Sequence, residues 1–337
     1  MCLGVGVTEP LLEVSDLSVD YLTDAADVRA VDRVGFTVGP GEFLGIVGES
    51  GCGKSTLLFA VAQLLSAPGE VSGGKVIFRG RDMVRLSPNE LQNMRWRDYS
   101  VVMQSAMNAL NPMKSIGAQF KDTLEAHDSI AAAEIRDRSA EVLDLVGIDP
   151  VHLKSYPHQL SGGMRQRTMI AMALLFTPQL VIMDEPTSAL DVVAQRSLMS
   201  KVKDLQRSLG FAVVFVTHDM SLVSRYSDRV MVMYAGQVAE ASETETIFRR
   251  PLHPYTRGLM SAFPSVTGPR RELVGIPGAP PDLARPPSGC RFHPRCPEVM
   301  PACLTHPPEL YRVGDTRVRC LLYAEETTEA EHATEAR

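Results

Sequence analysis

Residues 43–56 read FLGIVGESGCGKST, a continuous apolar run that enters a glycine-rich loop and leads into a helical pattern over Ser55 to Leu65. A strand, a loop of the form G-x-x-x-x-G-K-[ST] and a helix, in this order, are the context that a phosphate-binding loop requires. Glycines let backbone N–H groups converge on phosphate oxygens, and the helix N-terminus adds the positive end of its dipole. The stretch therefore predicts a nucleotide phosphate site in an α/β fold.

The residues of this loop have separate predicted roles. Lys54 is expected to reach the β- and γ-phosphates, and the Ser55 hydroxyl to bind Mg²⁺. The rest of the predicted cradle consists of Gly48, Ser50, Gly51, Cys52, Gly53 and Thr56. A glycine-rich turn without a ligand is the alternative, and Cys52 is either a small space-filling residue or, beside Lys54, a thiol of lowered pKa.

A second apolar run, Leu180 to Met183, ends in the acidic pair Asp184 and Glu185. The carboxyl end of a buried parallel strand is where an α/β fold places its ligand. We predict that Asp184 holds the Mg²⁺ shell and that Glu185 polarises the attacking water. A solvated strand end is the alternative for an isolated pair of this kind.

The composition is that of an ordinary globular α/β protein. Of 337 residues, 45% are hydrophobic and 22% charged, and a formal net charge of -6 gives no electrostatic support for nucleic-acid binding. Met1 to Pro10 lacks the features of a signal peptide, and no apolar run is long enough to span a membrane. We therefore expect a cytoplasmic chain that acts at a membrane only through partners.

The chain is expected to begin with an antiparallel strand pair, Leu17 to Tyr21 and Gly35 to Val38. Helical periodicity with little strand signal then runs from about 86 to 175, including a helix over Ala131 to Val146 closed by Gly147. This pattern predicts a helical subdomain inserted into the α/β core.

The core is expected to resume with the strands Leu180 to Met183 and Ala212 to Val216, joined by a helix over Asp191 to Leu209. Repeated prolines after about Phe248 forbid long helices and central strands. The predicted domains are therefore an ATPase domain at 11–250, an extension with four cysteines at 251–323, and a disordered tail at 324–337.

The sequence LSGGMRQR at Leu160 to Arg167 gives the chain its resemblance to the ABC ATPase family, whose signature has this form. The resemblance implies that ATP is sandwiched in a dimer. Ser161, Gly162 and Gly163 would then act, through a helix N-terminus, on the ATP of the opposite subunit. Met164 stands where the family commonly has Gln, as in one branch of peptide importers.

Four further positions match the family singly. Tyr21 corresponds to the aromatic ring against adenine, and Gln104 to the glutamine that touches Mg²⁺ and the attacking water. The segment Ser188 to Asp191 resembles the loop that crosses the dimer, although Asp191 could also be only a helix N-cap. His218 matches the histidine that contacts the γ-phosphate. Ordinary strand packing, an idle polar loop residue and a surface histidine are the respective alternatives for Tyr21, Gln104 and His218.

Two segments beyond the ATPase, PLHPYTRGL at 251–259 and GCRFHPRCP at 289–297, resemble the C-terminal region of oligopeptide and dipeptide importer ATPases. Nickel and glutathione importers share that region. The signature and the residues after it are more similar to the D-type subunit. This resemblance implies an F-type ATPase partner, two permease subunits, an extracytoplasmic solute-binding protein, and a peripheral position on the cytoplasmic face of the cell (inner) membrane.

Two other functional classes are alternatives to import. ABC proteins acting on DNA or the ribosome carry coiled-coil insertions or two ATPase domains, and neither heptads nor a second phosphate loop is present in the sequence. A catalytically inactive, ATP-binding subunit is disfavoured because Glu185 and His218 are both present.

Cys290, Cys296, Cys303 and Cys320 follow the spacing C-x5-C-x6-C-x16-C in a segment with few apolar residues. Four thiolates can ligate a structural zinc or an iron–sulfur cluster, and the paired C-x2-C knuckles common in zinc sites are missing. The resemblance to peptide importers favours a 4Fe-4S cluster. Zinc, with His293 or His306 as further ligands, and unligated packed thiols remain alternatives.

Overall fold

The computed structural model describes residues 9–23, 26–104, 109–128, 130–188, 190–262 and 275–324. Its strands, numbered along the chain, are β1 (Leu12–Tyr21), β2 (Val28–Val38), β3 (Phe43–Val47), β4 (Gly69–Phe78), β5 (Arg81–Asp82), β6 (Tyr99–Val102), β7 (Leu180–Asp184), β8 (Ala212–Thr217), β9 (Arg229–Tyr234), β10 (Gln237–Glu243), β11 (Tyr311–Val313) and β12 (Thr316–Val318). Its helices are α1 (Lys54–Val61), α2 (Pro88–Met94), α3 (Ile116–His127), α4 (Ala132–Leu145), α5 (Gly162–Ala173), α6 (Val192–Leu209), α7 (Met220–Tyr226), α8 (Thr244–Arg249) and α9 (Pro254–Ser261).

Contacts divide the chain into two units. Over the described residues, the first unit draws on Met1–Leu12, Val38–Phe43 and Arg85–Val216, and the second on Glu13–Thr37, Leu44–Val84 and Thr217–Arg337. The predicted domains, 11–250 and 251–323, follow the order of the chain and are a different partition. Their boundary stays a prediction, and the predicted disordered tail lies, from residue 325 onward, outside the described residues.

Parallel strands form the core of the first unit. β6 pairs with β7, and β7 with β8, so that Leu180 lies between Tyr99 and Ala212. Every residue of β7 and β8 is buried, as expected of a parallel sheet covered on both faces. The strands predicted from the apolar runs Leu180 to Met183 and Ala212 to Val216 are thus confirmed. β6 was not predicted, because a buried strand of four residues has no distinctive periodicity.

Helices fill the rest of the first unit. The predicted helix over Ala131 to Val146 is confirmed with bounds one residue shorter at each end, and Gly147 follows it with a φ of 75°. The helix predicted from Asp191 begins at Val192, because the Asp191 carboxylate accepts a hydrogen bond from the Ala194 N–H at 2.9 Å and acts as the N-cap.

Strands of two sheets lie in the second unit. One has the order β2-β1-β4-β5, so the two strands predicted near the start of the chain are neighbours, each longer than predicted. In the other, β3 pairs in parallel with β9, and β10 runs antiparallel to β9. α1 was predicted to reach Leu65 but ends at Val61, since Gln63 adopts a left-handed φ of 52° that a helix cannot contain.

Short elements attach the proline-rich segment, the predicted extension at 251–323, to this second sheet. β12 pairs antiparallel with β10, opposing Val318 to Glu240, and β11 pairs with β12. α9, eight residues long, is the longest helix that the structure describes after residue 250. In the described part of the chain no helix combines the length and apolar character needed to cross a bilayer.

Candidate functional site

The phosphate loop, residues 48–56, joins β3 to α1 in the second unit. Gly48, Gly51 and Gly53 have φ values of 156°, 76° and 98°. A Cβ at Gly48 would lie 2.2 Å from the Met233 carbonyl oxygen, and one at Gly53 would lie 2.2 Å from the Ala30 carbonyl oxygen. Only glycine fits these two positions, so the backbone that cradles a ligand is fixed by the motif itself.

Lys54 begins α1 and is almost fully buried. Its Nζ donates to the carbonyl oxygens of Gly48 and Glu49, each at 2.8 Å, and lies 3.6 Å from the Cys52 sulfur. The ammonium charge is therefore held inside the loop, where it can meet a phosphate. Burial raises the pKa of the Cys52 thiol, outweighing Lys54, so the lowered pKa considered for Cys52 is wrong, and the buried thiol is consistent with the space-filling alternative.

Tyr21 lies beside this loop. Its hydroxyl is 3.2 Å from the Thr56 hydroxyl, a hydrogen bond that connects the end of β1 with the first turn of α1. Thus the structure brings Tyr21 and the loop together, as the predicted adenine contact requires.

The acidic strand end lies in the first unit. Asp184 closes β7 with 1% exposure, and Glu185 follows with a φ of 44° while its N–H donates to the Val216 carbonyl at 3.0 Å. A glutamate rarely adopts a positive φ, and such strain is concentrated at functional positions. Gln104, exposed after β6, donates its amide to the Glu185 carboxylate at 3.1 Å. The structure thus joins two of the three predicted catalytic residues.

The signature segment forms the start of α5 in the first unit. Ser161 is the N-cap and accepts a hydrogen bond from the Met164 N–H at 3.3 Å. Gly162 and Gly163 open the helix, where backbone N–H groups have no partner within the helix. A Cβ at Gly163 would meet nothing within 4 Å, so that position opens onto free space.

The remaining family positions lie at element ends. His218 is exposed in the second unit directly after β8, and Asp219 caps α7 by accepting from the Ser221 N–H. In the segment Ser188 to Asp191, predicted to cross a dimer, Ala189 lies outside the described residues. Asp191 is the N-cap of α6, which confirms that role.

The cysteine segment, Cys290 to Cys320, lies in the second unit and its four cysteines are free thiols. Burial raises the pKa of Cys320 to about 12, and the other three thiols add to the rise. The Cys290 N–H donates to the Cys303 carbonyl oxygen at 2.9 Å, which brings the backbone of these two residues together. Cys320 also packs in a small apolar cluster with Leu252 and Val318.

The predicted metal site of this segment is not supported by the side-chain placement. Among the described residues there is no group of three or more His, Cys, Asp or Glu placed to hold a metal ion. Of the two histidines considered for zinc, His293 is engaged through Nδ1 with the Cys290 carbonyl oxygen and His306 with the Thr305 hydroxyl, each at 2.9 Å.

Sequence reasoning missed the contacts that connect the proline-rich segment to the phosphate loop. Arg295 binds the Glu49 carboxylate, and the Tyr255 hydroxyl accepts a hydrogen bond from the Glu49 N–H. Glu49 occupies a position that the motif leaves unspecified, and its partners lie more than 200 residues away. No local signal in the sequence could have indicated them.

Comparison with known proteins places the chain in a family. Residues 31–188 match the family described as ABC transporter, and residues 239–303 match the one described as oligopeptide/dipeptide transporter, C-terminal region. A putative peptide import ATP-binding protein of Brucella melitensis is 43% identical over 93% of this chain and 95% of its own length. The oligopeptide transport ATP-binding protein OppD of Salmonella typhimurium is 44% identical over 91% of this chain and 92% of its own.

A solved structure supports the same assignment. An ATP-binding cassette determined as a dimer in a post-hydrolysis state, bound to ADP and Pi, superposes with a TM-score of 0.62 at 27% identity over 69% of this chain and 98% of its own. The predicted α/β ABC ATPase fold is confirmed. The chain belongs to the ABC transporter family, in its oligopeptide/dipeptide branch, and is the ATP-binding and ATP-hydrolysing subunit of an importer.

Proposed function

We propose that this subunit lies on the cytoplasmic face of the inner membrane and powers the import of di- or oligopeptides into the cell. The match of residues 239–303 to the oligopeptide/dipeptide C-terminal region carries the proposal, and the relatives named for peptide transport support it. Its partners would be an F-type ATPase chain, two permease subunits and an extracytoplasmic solute-binding protein.

In this proposal the phosphate loop holds the nucleotide through residues of the second unit. Lys54 contacts the β- and γ-phosphates, the amides of Gly48 to Gly53 line the cradle, and Tyr21 stacks on adenine. The buried Lys54 ammonium and the glycine-only backbone support these roles.

Hydrolysis would use residues of the acidic strand end together with His218. Glu185 takes the proton of the attacking water, and Gln104, 3.1 Å from that carboxylate, orients the water. Asp184, Ser55 and Gln104 supply oxygen donors suited to Mg²⁺, and the buried Asp184 carboxylate fits a hard cation. When bound, Mg²⁺ would neutralise charge that develops on the phosphate oxygens. His218 would contact the γ-phosphate.

The signature helix would serve the partner subunit's nucleotide. Ser161 caps α5, and the first amides of the helix at Gly162 and Gly163 are donors of the kind that bind a phosphate. The related cassette bound to ADP and Pi was itself solved as a dimer. ATP bound between two subunits would then close the dimer, and hydrolysis would reopen it.

Replacing the predicted base tests the chemistry. Glu185→Gln should keep ATP binding and lower turnover by about 10²- to 10⁴-fold, because an amide cannot accept the proton. ATP titration and phosphate release, measured on the assembled transporter, give the two quantities. Glu134→Gln, an exposed carboxylate on α4, is the matched control. Wild-type turnover in Glu185→Gln would exclude the assigned role.

Uptake assays test the substrate. Transporter reconstituted with its permeases and binding protein should accumulate a labelled tripeptide only with ATP, and Glu185→Gln should stop the accumulation. Uptake of nickel, or of the γ-linked tripeptide glutathione, without uptake of a tripeptide with ordinary peptide bonds would contradict the peptide assignment.

The four-cysteine site is proposed to hold a 4Fe-4S cluster. Four free thiols in one segment support it, as does the hydrogen bond of the Cys290 N–H to the Cys303 carbonyl oxygen at 2.9 Å, although the described side chains are not arranged around a metal. Anaerobically purified protein should then be brown, with iron and acid-labile sulfide each near four per chain, the composition of a Cys-ligated cubane. Stoichiometric zinc without sulfide would replace the cluster by a zinc site, and protein without metal would leave packed thiols.

A further inference from the structure

Glu49, the second residue of the phosphate loop, is bound at both carboxylate oxygens by Arg295. Nη1 lies 2.7 Å from Oε2, and Nη2 lies 2.9 Å from Oε1. The Arg295 side chain is 5% exposed and that of Glu49 23% exposed, so the pair is largely shielded from water. A bidentate, charge-assisted pair of this kind is both stronger and more directional than a surface ion pair.

Arg295 is itself held in place. Its Nε donates to the Pro277 carbonyl oxygen at 2.7 Å, and its guanidinium lies 5.8 Å from the centre of the Tyr234 ring. A side chain restrained on both sides can restrain its partner in turn, because little rotamer freedom remains to be lost.

The backbone of Glu49 has a second anchor in the same segment. The Tyr255 hydroxyl accepts a hydrogen bond from the Glu49 N–H at 2.9 Å. Tyr255 is fully buried and its ring packs 4.5 Å from that of Tyr234 and 5.4 Å from that of Phe292. Both the side chain and the backbone of this loop residue are therefore fixed from beyond residue 250.

A second arginine of the proline-rich segment supports the loop at Cys52. Arg291 pairs with Asp32 at 2.7 Å and donates to the Ala235 carbonyl oxygen. The next residue, Gly236, donates its N–H to the Cys52 carbonyl oxygen at 3.0 Å. Two arginines four positions apart in the proline-rich segment thus support the loop at Glu49 and, through one turn, at Cys52.

The ion pair between Arg295 and Glu49 should affect nucleotide binding because Glu49 carries a negative charge. A carboxylate within a loop that receives a polyphosphate would repel it, and Arg295 offsets that charge. We propose that Arg295 is a positioning residue for nucleotide binding, which acts by neutralising Glu49 and fixing it so that the loop keeps its phosphate-binding shape. This inference rests on the proposed nucleotide site at Lys54 and assigns the proline-rich segment a part in it.

ATP titration of purified variants tests the inference. Arg295→Ala should weaken ATP binding by roughly 10- to 100-fold, as expected when one member of a shielded ion pair is removed. KM should rise by a similar factor with little change in kcat, since the acidic strand end is untouched. Arg312→Ala, which removes an exposed pair with Asp315 in the same segment, is the matched control and should bind as wild type does.

A second substitution separates this role from a merely structural one. In Arg295→Ala with Glu49→Ala, the unpaired carboxylate is gone, so affinity should recover to that of Glu49→Ala alone, within about threefold of wild type. An affinity of the double variant equal to or below that of Arg295→Ala would overturn the proposal, as would wild-type affinity in a folded Arg295→Ala.

Two further variants cover a failure of Arg295→Ala to fold and a failure of the proposed nucleotide site itself. Should Arg295→Ala fail to fold, Arg295→Lys replaces it, and unchanged affinity there would overturn the bidentate positioning, whereas a three- to tenfold loss would support it. Lys54→Ala distinguishes the failures: ATP binding that survives it refutes the proposed nucleotide site, while loss in Lys54→Ala with no loss in Arg295→Ala refutes this inference alone.

Discussion

The phosphate loop and the cysteine segment are both irregular stretches of the second unit, and both were assigned ligands from their sequences. In the loop, contiguous residues set the backbone path, because Gly48 and Gly53 admit no Cβ and Lys54 folds back onto the loop's own carbonyls, and Arg295 then holds Glu49 from outside. In the cysteine segment, four residues spread from Cys290 to Cys320 must be gathered by packing or by a metal. A local motif therefore specifies its geometry, whereas a spacing of ligands does not.

One substitution in each region should change the property of that region and leave the property of the other unchanged. Lys54→Ala should abolish ATP binding, because it removes the charge that is proposed to meet the phosphates, and should leave the metal content of the protein unchanged. Cys296→Ser should do the reverse, since the contacts of Arg295 run to Pro277, Tyr234 and Glu49 and do not use the neighbouring thiol. Nucleotide titration and metal analysis of both variants measure this.

The two variants test whether ATP binding and metal binding are independent of each other. Loss of ATP binding in a folded Cys296→Ser would show that the thiols, and not only Arg295, contribute to the nucleotide site, and the comparison would then fail.

Prediction from sequence succeeded where the signal was local. The bounds of β3 match the apolar run Phe43 to Val47, and β7 and β8 each exceed theirs by a single residue. A helix end was less predictable, as the left-handed Gln63 that ends α1 carries no turn signal of its own. The family assignment depended on three short motifs, and the comparisons confirmed it.

The candidate site was predictable only in part, for a related reason. The pairing of Gln104 with Glu185 agrees with the roles read from the sequence, because each residue lies just beyond the end of a core strand. Arg295 and Glu49 are separated by 246 positions, and only the tertiary structure brings them together. The roles of individual residues in ATP hydrolysis stay predictions.

The proline-rich segment also contains a buried histidine that should make the stability of the protein depend on pH. His253 caps α9 by accepting a hydrogen bond from the Tyr255 N–H at 3.0 Å, and burial lowers its pKa to about 3. Between about pH 6.5 and 3 the unfolded chain binds a proton that the folded one does not. This contribution to stability is complete above pH 6.5 and is lost as the pH falls, at up to about 1.4 kcal/mol per pH unit.

The matched variant keeps the cap and removes the titration. His253→Asn retains a side-chain acceptor for the Tyr255 N–H, so its free energy of unfolding should fall less steeply between pH 6.5 and 4.5 than that of the wild type. Urea unfolding at several pH values measures the difference in slope. Equal slopes would mean that His253 does not stay neutral in the folded protein.

Substitutions of Tyr21, beside the phosphate loop, should lower ATP affinity least and show whether its ring or its hydroxyl contributes more. Tyr21→Ala should weaken ATP binding by about 1–3 kcal/mol, the usual contribution of a base stacked on an aromatic ring, and so by much less than Lys54→Ala. Tyr21→Phe keeps the ring and removes the 3.2 Å hydrogen bond to Thr56, so it should cost no more than about 1 kcal/mol. Titration with ATP and with inorganic triphosphate separates the two effects, because only the stacking loss depends on the base. A Tyr21→Ala loss that is equally large for triphosphate would mean that Tyr21 acts through Thr56 and the loop, not through adenine.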